Sequence, residues 1–272
     1  MVLHATVVDH RGRLITDLPE AAFHAFEDGV EQRIKIFRRE DVPVSMGIII
    51  DNSGSMKEKR QKVETAALDL VKASNRQDEV FVVNFNDEVF RDVDFTSEIG
   101  KLEAGVARMD SRGGTAMRDA IHASLGYARA KSRHDKKALV VITDGNDNMS
   151  DITLDDLVRE AQQREVLIYT IGLLNEEERG EARKAERALA TIAKATGGEA
   201  YYPKLIGEVH SIALQVADEI RHQYILAYTP SNGKLDGSYR QIKVAANAPD
   251  RPVVRTRTGY YATPELGAPG KR

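Results

Sequence analysis

The chain has 272 residues, of which 42% are hydrophobic and 30% are charged. This length and apolar content predict a folded chain with one large domain, or a domain with a smaller appendage, and exclude a disordered chain. The balance of 39 basic against 42 acidic residues gives a net charge of −3 and no basic footprint for nucleic acid. No apolar run approaches the roughly 20 residues of a membrane span. Because cysteine is absent, disulfides and cysteine zinc sites are excluded.

The N-terminal flank predicts short strands rather than a targeting segment. It lacks the basic segment and apolar stretch of a signal peptide, although a trimmed segment before Met1 stays an open alternative. Strands are expected at 3–8, 23–27 and 30–37, with a turn at Glu27-Asp28-Gly29 between the last two.

The middle of the chain alternates strands with amphipathic helices. No proline occurs between Pro43 and Pro203, which favours continuous regular structure. Strands are predicted at 44–50, 80–85, 89–95, 138–143, 166–171 and 199–202. Apolar residues at helical spacing predict helices over 63–71, 117–128, 154–161, 185–193 and 212–220. Since Asn86-Asp87 is too short for a crossover, the third strand should return antiparallel as a hairpin.

These patterns predict an α/β fold: a doubly wound, mostly parallel six-stranded sheet with helices on both faces. The C-terminal flank adds strands at 224–228, 239–245 and 253–261. Neither flank has enough strands to be stable alone, so both should pair into a small antiparallel β unit. The expected division is 1–43 and 222–262 for that unit, 44–221 for the α/β domain and 263–272 for a disordered tail.

Three short motifs lie where strands or loops lead into helices. Asp51-Asn52-Ser53-Gly54-Ser55 follows the first central strand, Gly113-Gly114-Thr115 precedes a helix, and Thr143-Asp144-Gly145 closes the fourth strand. Taken singly, each is explained by helix capping or an ordinary turn, and for the Asp51–Ser55 run alone that is the favoured explanation.

The predicted topology brings the three motifs together. In the common strand order 3-2-1-4-5-6, the first and fourth strands are neighbours, and a crevice opens between their carboxyl ends. Asp51, Ser53, Ser55, Thr115 and Asp144 would then offer two carboxylates and three hydroxyls. An all-oxygen set suits Mg²⁺, Mn²⁺ or Ca²⁺ rather than zinc or copper.

In this order and on this pattern, the motifs resemble the metal-ion-dependent adhesion site of von Willebrand factor type A (VWA) domains over about residues 44–221. The stretches Asp-His-Arg-Gly-Arg-Leu-Ile-Thr-Asp-Leu, Phe-Glu-Asp-Gly-Val and Arg-His-Gln-Tyr-Ile-Leu-Ala-Tyr also resemble bacterial, acidobacterial-type proteins related to von Willebrand factor A. That likeness implies an extracytoplasmic location, periplasmic, cell-surface or secreted.

The resemblance implies a role for each site residue. Ser53 and Ser55 would coordinate the metal through their hydroxyls, Thr115 directly or through water, and Asp51 and Asp144 largely through waters. The sixth position would receive a Glu or Asp carboxylate of a protein partner. The expected function is therefore non-catalytic, metal-dependent protein binding or adhesion.

Two other classes of function stay open at this stage. One is magnesium-dependent phosphoryl transfer or hydrolysis with Asp51 as an aspartyl nucleophile. The other is an assembly domain that the ion merely stabilises. The sequence holds no GxSxG elbow, P-loop, GxGxxG or HExxH motif that would favour an enzyme of those types. It leaves the partner, the preferred ion and the oligomeric state undetermined.

Overall fold

The computed structural model describes residues 1–39, 41–107, 111–249 and 251–264. Its strands, in chain order, are β1 (Val2–Val8), β2 (Phe23–Glu27), β3 (Val30–Gln32), β4 (Ile34–Arg38), β5 (Val44–Asp51), β6 (Glu79–Phe85), β7 (Val89–Thr96), β8 (Lys136–Thr143), β9 (Leu167–Gly172), β10 (Ala200–Tyr201), β11 (Tyr224–Tyr228), β12 (Tyr239–Ala246), β13 (Val253–Arg255) and β14 (Gly259–Tyr261). Its helices are α1 (Arg60–Ala73), α2 (Ile99–Val106), α3 (Met117–Lys131), α4 (Leu154–Arg164), α5 (Arg179–Thr196) and α6 (Val209–Arg221). No helix in these ranges is long and apolar enough to cross a membrane.

The central sheet has the order β10-β9-β8-β5-β6-β7. Numbered along this sheet's own strands, that is the predicted 3-2-1-4-5-6 order, and it is confirmed. Every pairing in this sheet is parallel except that of β6 with β7, which is antiparallel as the short connection 86–88 requires. All eight residues of β5 are buried, as expected for a parallel strand covered on both faces.

Helices cover both faces of this sheet. Apolar residues of α1, α2 and α6 pack on one face, and those of α3, α4 and α5 pack on the other. Leu70 and Val216 represent the first layer and Ile121 and Leu189 the second, each fully or almost fully buried. The predicted doubly wound α/β fold is therefore confirmed.

The two flanks pair antiparallel into a β unit, also as predicted. β1 pairs with β11, and β2 pairs with β12. The unit consists of two four-stranded sheets, β13-β1-β11-β4 and β14-β12-β2-β3, which share one apolar core. That core includes Leu3, Phe23, Tyr224 and Ile242.

Three elements differ from the sequence predictions. The strand expected at 30–37 divides at Arg33 into β3 and β4, which belong to different sheets. The strand expected at 253–261 likewise divides into β13 and β14. Helix α2 was not predicted. The disordered tail predicted for 263–272 lies, from residue 265 onward, outside the described residues.

Candidate metal centre

The candidate site lies at the carboxyl edge of the central sheet, where β5 and β8 are adjacent parallel strands. Asp51 is the last residue of β5, and Asp144 follows directly after β8. Because these strands are neighbours and point the same way, their terminal carboxylates come to one place. This is the crevice position expected for ligands in open α/β sheets.

Asp51 is held rigidly in the interior. It is 1% exposed; its Oδ1 accepts a hydrogen bond from the Ser53 backbone N–H at 2.8 Å and its Oδ2 one from the Thr143 hydroxyl at 2.5 Å. Burial raises the pKa of Asp51 to about 6, and the bonds from Thr143 and Ser53 oppose that rise only in part.

Ser53, Ser55 and Asp144 form a continuous chain of oxygens. The Ser53 and Ser55 hydroxyl oxygens lie 3.1 Å apart, and the Ser55 hydroxyl donates to Asp144 Oδ1 at 2.7 Å. Asp144 is 0% exposed, whereas Ser55 lies on the exposed side of its turn. The chain thus runs from a buried carboxylate out to the surface.

Thr115 stands on the loop that leads into α3, and backbone hydrogen bonds hold it against the loop after β8. Its N–H donates to Asn148 Oδ1 at 3.0 Å, and its carbonyl accepts from the N–H groups of Asn148 and Met149. Its hydroxyl lies 4.0 Å from the position a Cβ at Gly145 would occupy. The structure therefore places Thr115 at the same edge, beside the residue that follows Asp144.

The Gly113-Gly114 pair lets these loops approach closely. Gly113 has a φ of +74°, and a Cβ there would lie 2.0 Å from Asp87 Oδ1. A Cβ on Gly114 would lie 2.6 Å from Met149 Cγ. The Gly113 carbonyl accepts from the Gly54 N–H at 3.4 Å, which ties the Thr115 loop to the serine loop. Only glycine meets both demands without displacing a neighbour.

Two charged residues of the site were not found by sequence analysis. Lys59 Nζ lies 2.7 Å from Asp144 Oδ2 and 2.8 Å from Glu176 Oε2. Burial lowers the pKa of Lys59, but its bonds to the two carboxylates outweigh that effect and raise the pKa above its usual value. Lys59 lies only four residues after Ser55, in the turn leading to α1, and this closeness in sequence could have indicated that it borders the site. No motif in the sequence indicated Glu176.

The donor set fits a small hard cation. Oxygens about 2.1 Å from an octahedral Mg²⁺ lie about 3 Å from their neighbours in the shell, and the spacings of 3.1 and 2.7 Å along the serine–aspartate chain bracket that value. Over the described ranges, no group of three or more His, Cys, Asp or Glu residues is placed to hold a metal. Any ion at this edge would therefore depend on hydroxyls as well as carboxylates.

Comparison with known proteins supports the fold. The profile of the von Willebrand factor type A domain family matches residues 46–215, and no match is found among curated proteins. A von Willebrand factor type A structure from Catenulispora acidiphila shares 15% identity, covering 87% of this chain and 73% of its own, with a TM-score of 0.56.

Two further solved structures are similar over the central domain. The vWF domain of the type V pili tip protein Mfa5 from Porphyromonas gingivalis is 14% identical, with 66% of this chain and 97% of that chain covered and a TM-score of 0.53. An aerotolerance-related membrane protein from Bacteroides fragilis is 18% identical, covering 65% and 99%, with a TM-score of 0.54. At these identities the similarity concerns the fold.

Proposed function

Because the chain belongs to the von Willebrand factor type A domain family, whose members are generally interaction modules, we propose that it captures an acidic group of a protein partner through a divalent cation. The observation that carries this proposal is the chain of oxygens from Ser53 through Ser55 to Asp144, with spacings of 3.1 and 2.7 Å. That chain joins a buried carboxylate to the surface, where a partner could reach the ion.

The site residues would have two roles, set by their charge. Ser53, Ser55 and Thr115 would offer neutral hydroxyls, and Asp51 and Asp144 would balance the charge of Mg²⁺, or of Mn²⁺ or Ca²⁺. The bound ion would supply Lewis acidity toward an incoming carboxylate. A site for permanent binding uses more acidic ligands, as EF-hand loops do. A donor set this poor in charge is suited to an ion that bridges to a Glu or Asp of another protein.

The proposed function is non-catalytic. An aspartyl nucleophile needs a carboxylate oxygen open to the substrate, but Asp51 is 1% exposed and both its oxygens accept hydrogen bonds. An ion that merely stabilises an assembly domain is the remaining alternative. It would raise the melting temperature without affecting partner capture.

An extracytoplasmic location is part of the same proposal. The similar structures include a pilus tip protein and a membrane protein, and an interaction module of this kind would meet its partner at the cell surface or beyond. The absence of cysteine is compatible with an oxidising compartment, where an unpaired thiol would be a liability.

Isothermal titration calorimetry of Mg²⁺ and Mn²⁺ tests the site. Asp51→Asn should weaken ion binding at least about tenfold, because it removes one of the two charges that balance the cation. Asp94→Asn is the control: this aspartate is 73% exposed on β7 and should leave the affinity unchanged. Circular dichroism would verify that both variants fold, and unchanged affinity in a folded Asp51→Asn variant would reject the site.

Partner capture separates bridging from stabilisation. The wild-type chain should retain a protein ligand from cell-surface extract with Mg²⁺ present and release it on chelation, whereas Asp51→Asn should retain none under either condition. Capture that persists through chelation would overturn the bridging role. An ion-dependent rise in melting temperature without ion-dependent capture would instead identify a structural ion.

A further inference from the structure

Lys59 forms an ion-pair bridge across the candidate metal centre. Its ammonium lies between Asp144 Oδ2, at 2.7 Å, and Glu176 Oε2, at 2.8 Å. The Lys59 side chain is 11% exposed, Asp144 is fully buried, and Glu176 is 76% exposed. A buried carboxylate and a solvated one thus share a single cation, and both contacts are of hydrogen-bonding length.

We propose that Lys59 is a built-in competitor for the divalent ion: it neutralises Asp144 when the ion is absent, and moves onto Glu176 when the ion binds. This inference rests on the proposed function, since it assigns a role to residues around the same ion. It makes ion binding an exchange of one cation for another at Asp144 rather than the filling of a bare anionic pocket.

The burial of Asp144 explains why a competitor is needed. A fully buried carboxylate without a partner is costly, because its charge has lost hydration. Ser55 supplies one hydrogen bond to Oδ1, but a neutral hydroxyl does not cancel the charge. The Lys59 ammonium does so at Oδ2. The chain can therefore fold around this aspartate before any ion arrives.

The position of Glu176 explains how the competitor leaves. A divalent ion close to Asp144 repels the ammonium, and the repulsion falls as Nζ moves away. Glu176 already accepts from Nζ on the side toward solvent, so Lys59 can leave Asp144 without losing all its partners. Because Glu176 is mostly exposed, its side chain is free to follow the ammonium outward.

The exchange predicts effects of opposite sign at its two ends. In titrations with Mn²⁺ alone, Lys59→Met should bind the ion about tenfold more tightly, because the ion no longer displaces a cation. Glu176→Gln should bind it several-fold more weakly, because the ammonium then has only Asp144 as an acidic partner. In the Lys59→Met/Glu176→Gln double variant, the Glu176→Gln substitution should not change the affinity further, because no ammonium is present for Glu176 to bind.

A neighbouring ion pair on α1 provides matched controls. Arg60 Nε lies 2.7 Å from Glu64 Oε1, so Arg60→Met and Glu64→Gln remove one basic and one acidic side chain of an ion pair next to Lys59 in sequence, and neither residue contacts Asp144. Both should keep the wild-type affinity. The melting temperature gives a second readout. Without ion, Lys59→Met should melt at a lower temperature than wild type, and added Mn²⁺ should raise its melting temperature by more than it raises that of wild type.

The outcomes distinguish this inference from the proposed function. If the wild-type chain binds no Mn²⁺, the proposed function fails and the exchange fails with it. If wild type binds but Lys59→Met binds equally or less tightly while folded, the exchange alone is wrong. Should Lys59→Met not fold, the sign of the Glu176→Gln effect decides, because that exposed side chain can be changed without loss of core packing.

Discussion

His4, on β1, is a histidine that the fold keeps neutral. Its Nδ1 is enclosed and has no hydrogen-bond partner among the residues that the structure describes. Burial lowers its pKa from the ordinary 6.5 to about 3, and the charges of Lys136, Lys137 and Arg257 act in the same direction. The folded state therefore resists a protonation that the unfolded chain accepts freely below pH 6.5.

The pH dependence of stability should report this residue. Between pH 6.5 and 3 the unfolded chain binds a proton at His4 that the folded chain does not, so stability falls as the pH falls. pH 5 lies 1.5 pH units below the unfolded pKa. The free energy of unfolding should therefore be about 2 kcal/mol lower there than at neutral pH, through His4 alone. His4→Gln should lack this part of the acid loss.

Urea unfolding of both proteins at pH 7 and pH 5 measures the effect. The difference between them isolates His4, because the other titrating groups are common to the two. An equal loss of unfolding free energy in wild type and His4→Gln would show that the ring is not held neutral.

At the candidate site, the sequence predicted which carboxylate and hydroxyl side chains lie near one another. It did not predict the charged residues around them. Asp51 and Asp144 could be placed side by side because adjacent strands end there, and the serines follow Asp51 directly. The bridge from Lys59 to Glu176 could not be foreseen. It depends on the conformation of a long side chain and on where the loop after β9 lies, and neither follows from local periodicity.

Among the elements, the end of α5 is a junction where backbone packs against backbone. Gly197 has a φ of +92°, the left-handed conformation typical of a helix C-terminus. A Cβ there would lie 2.6 Å from the Arg257 backbone nitrogen. A Cβ on Gly198 would lie 2.1 Å from the Ile168 carbonyl oxygen. Helix α5, strand β9 and the β13–β14 connection therefore meet here with no room for a side chain.

Gly198→Ala should destabilise the protein by about 3 kcal/mol, because the methyl group would meet backbone atoms that cannot rotate away. Gly207→Ala is a matched control: a Cβ there meets nothing within 4 Å, and its stability should stay within about 0.5 kcal/mol of wild type. Thermal unfolding of the two variants measures both. A Gly198→Ala variant as stable as Gly207→Ala would mean that the junction relaxes easily.

The elements that the sequence mispredicted share one cause, which is long-range pairing. The run 30–37 looked like a single alternating strand, but β3 pairs with β2 while β4 pairs with β11. A shift of register there sets Ile34 opposite Tyr228 and Ile36 opposite Ala227. That bulge leaves Ile36 46% exposed and turns Phe37 toward the core. Partners some 190 residues away decide such a change of face, so alternation alone could not show it.

Helix α2 was missed for a related reason. Its eight residues include Gly100 and Gly105, and glycine lowers helix propensity. A Cβ on Gly105 would lie 1.9 Å from Val93 Cγ2, so the glycine allows the helix to approach β7 closely. Tertiary packing thus selects a residue that, on its own, argues against a helix.

At the scale of the whole molecule, a buried polar network joins the β unit to the central domain. Glu219 of α6 is 1% exposed; it accepts from the Tyr201 hydroxyl at 2.6 Å and from Arg255 of β13 at 2.7 Å. Gln223 donates to Thr6 of β1 and to Tyr169 of β9. Helix α6 is thereby held by both parts of the molecule, and the β unit rests on a specific contact rather than on the chain connection alone.

Removing residues 1–40 should therefore unfold the C-terminal strands. The deletion takes β1 from the middle of one sheet and β2 from the middle of the other, so β11, β12 and β13 lose their main partners. It also removes Leu3 and Phe23 from the shared core. Strands without partners open readily and become accessible to proteases.

Limited trypsin digestion followed by mass spectrometry tests this pairing. The truncated chain should be cut first at Arg240, Lys243 and Arg255, which the full chain protects within β12 and β13. The helices on both faces of the central sheet should survive longer, because none of residues 1–40 belongs to the two apolar cores in which those helices pack on the sheet. If those three sites stay as resistant as in the full chain, the C-terminal strands do not need the N-terminal flank. The two flanks would then be stabilised independently, contrary to the register that joins β1 to β11 and β2 to β12.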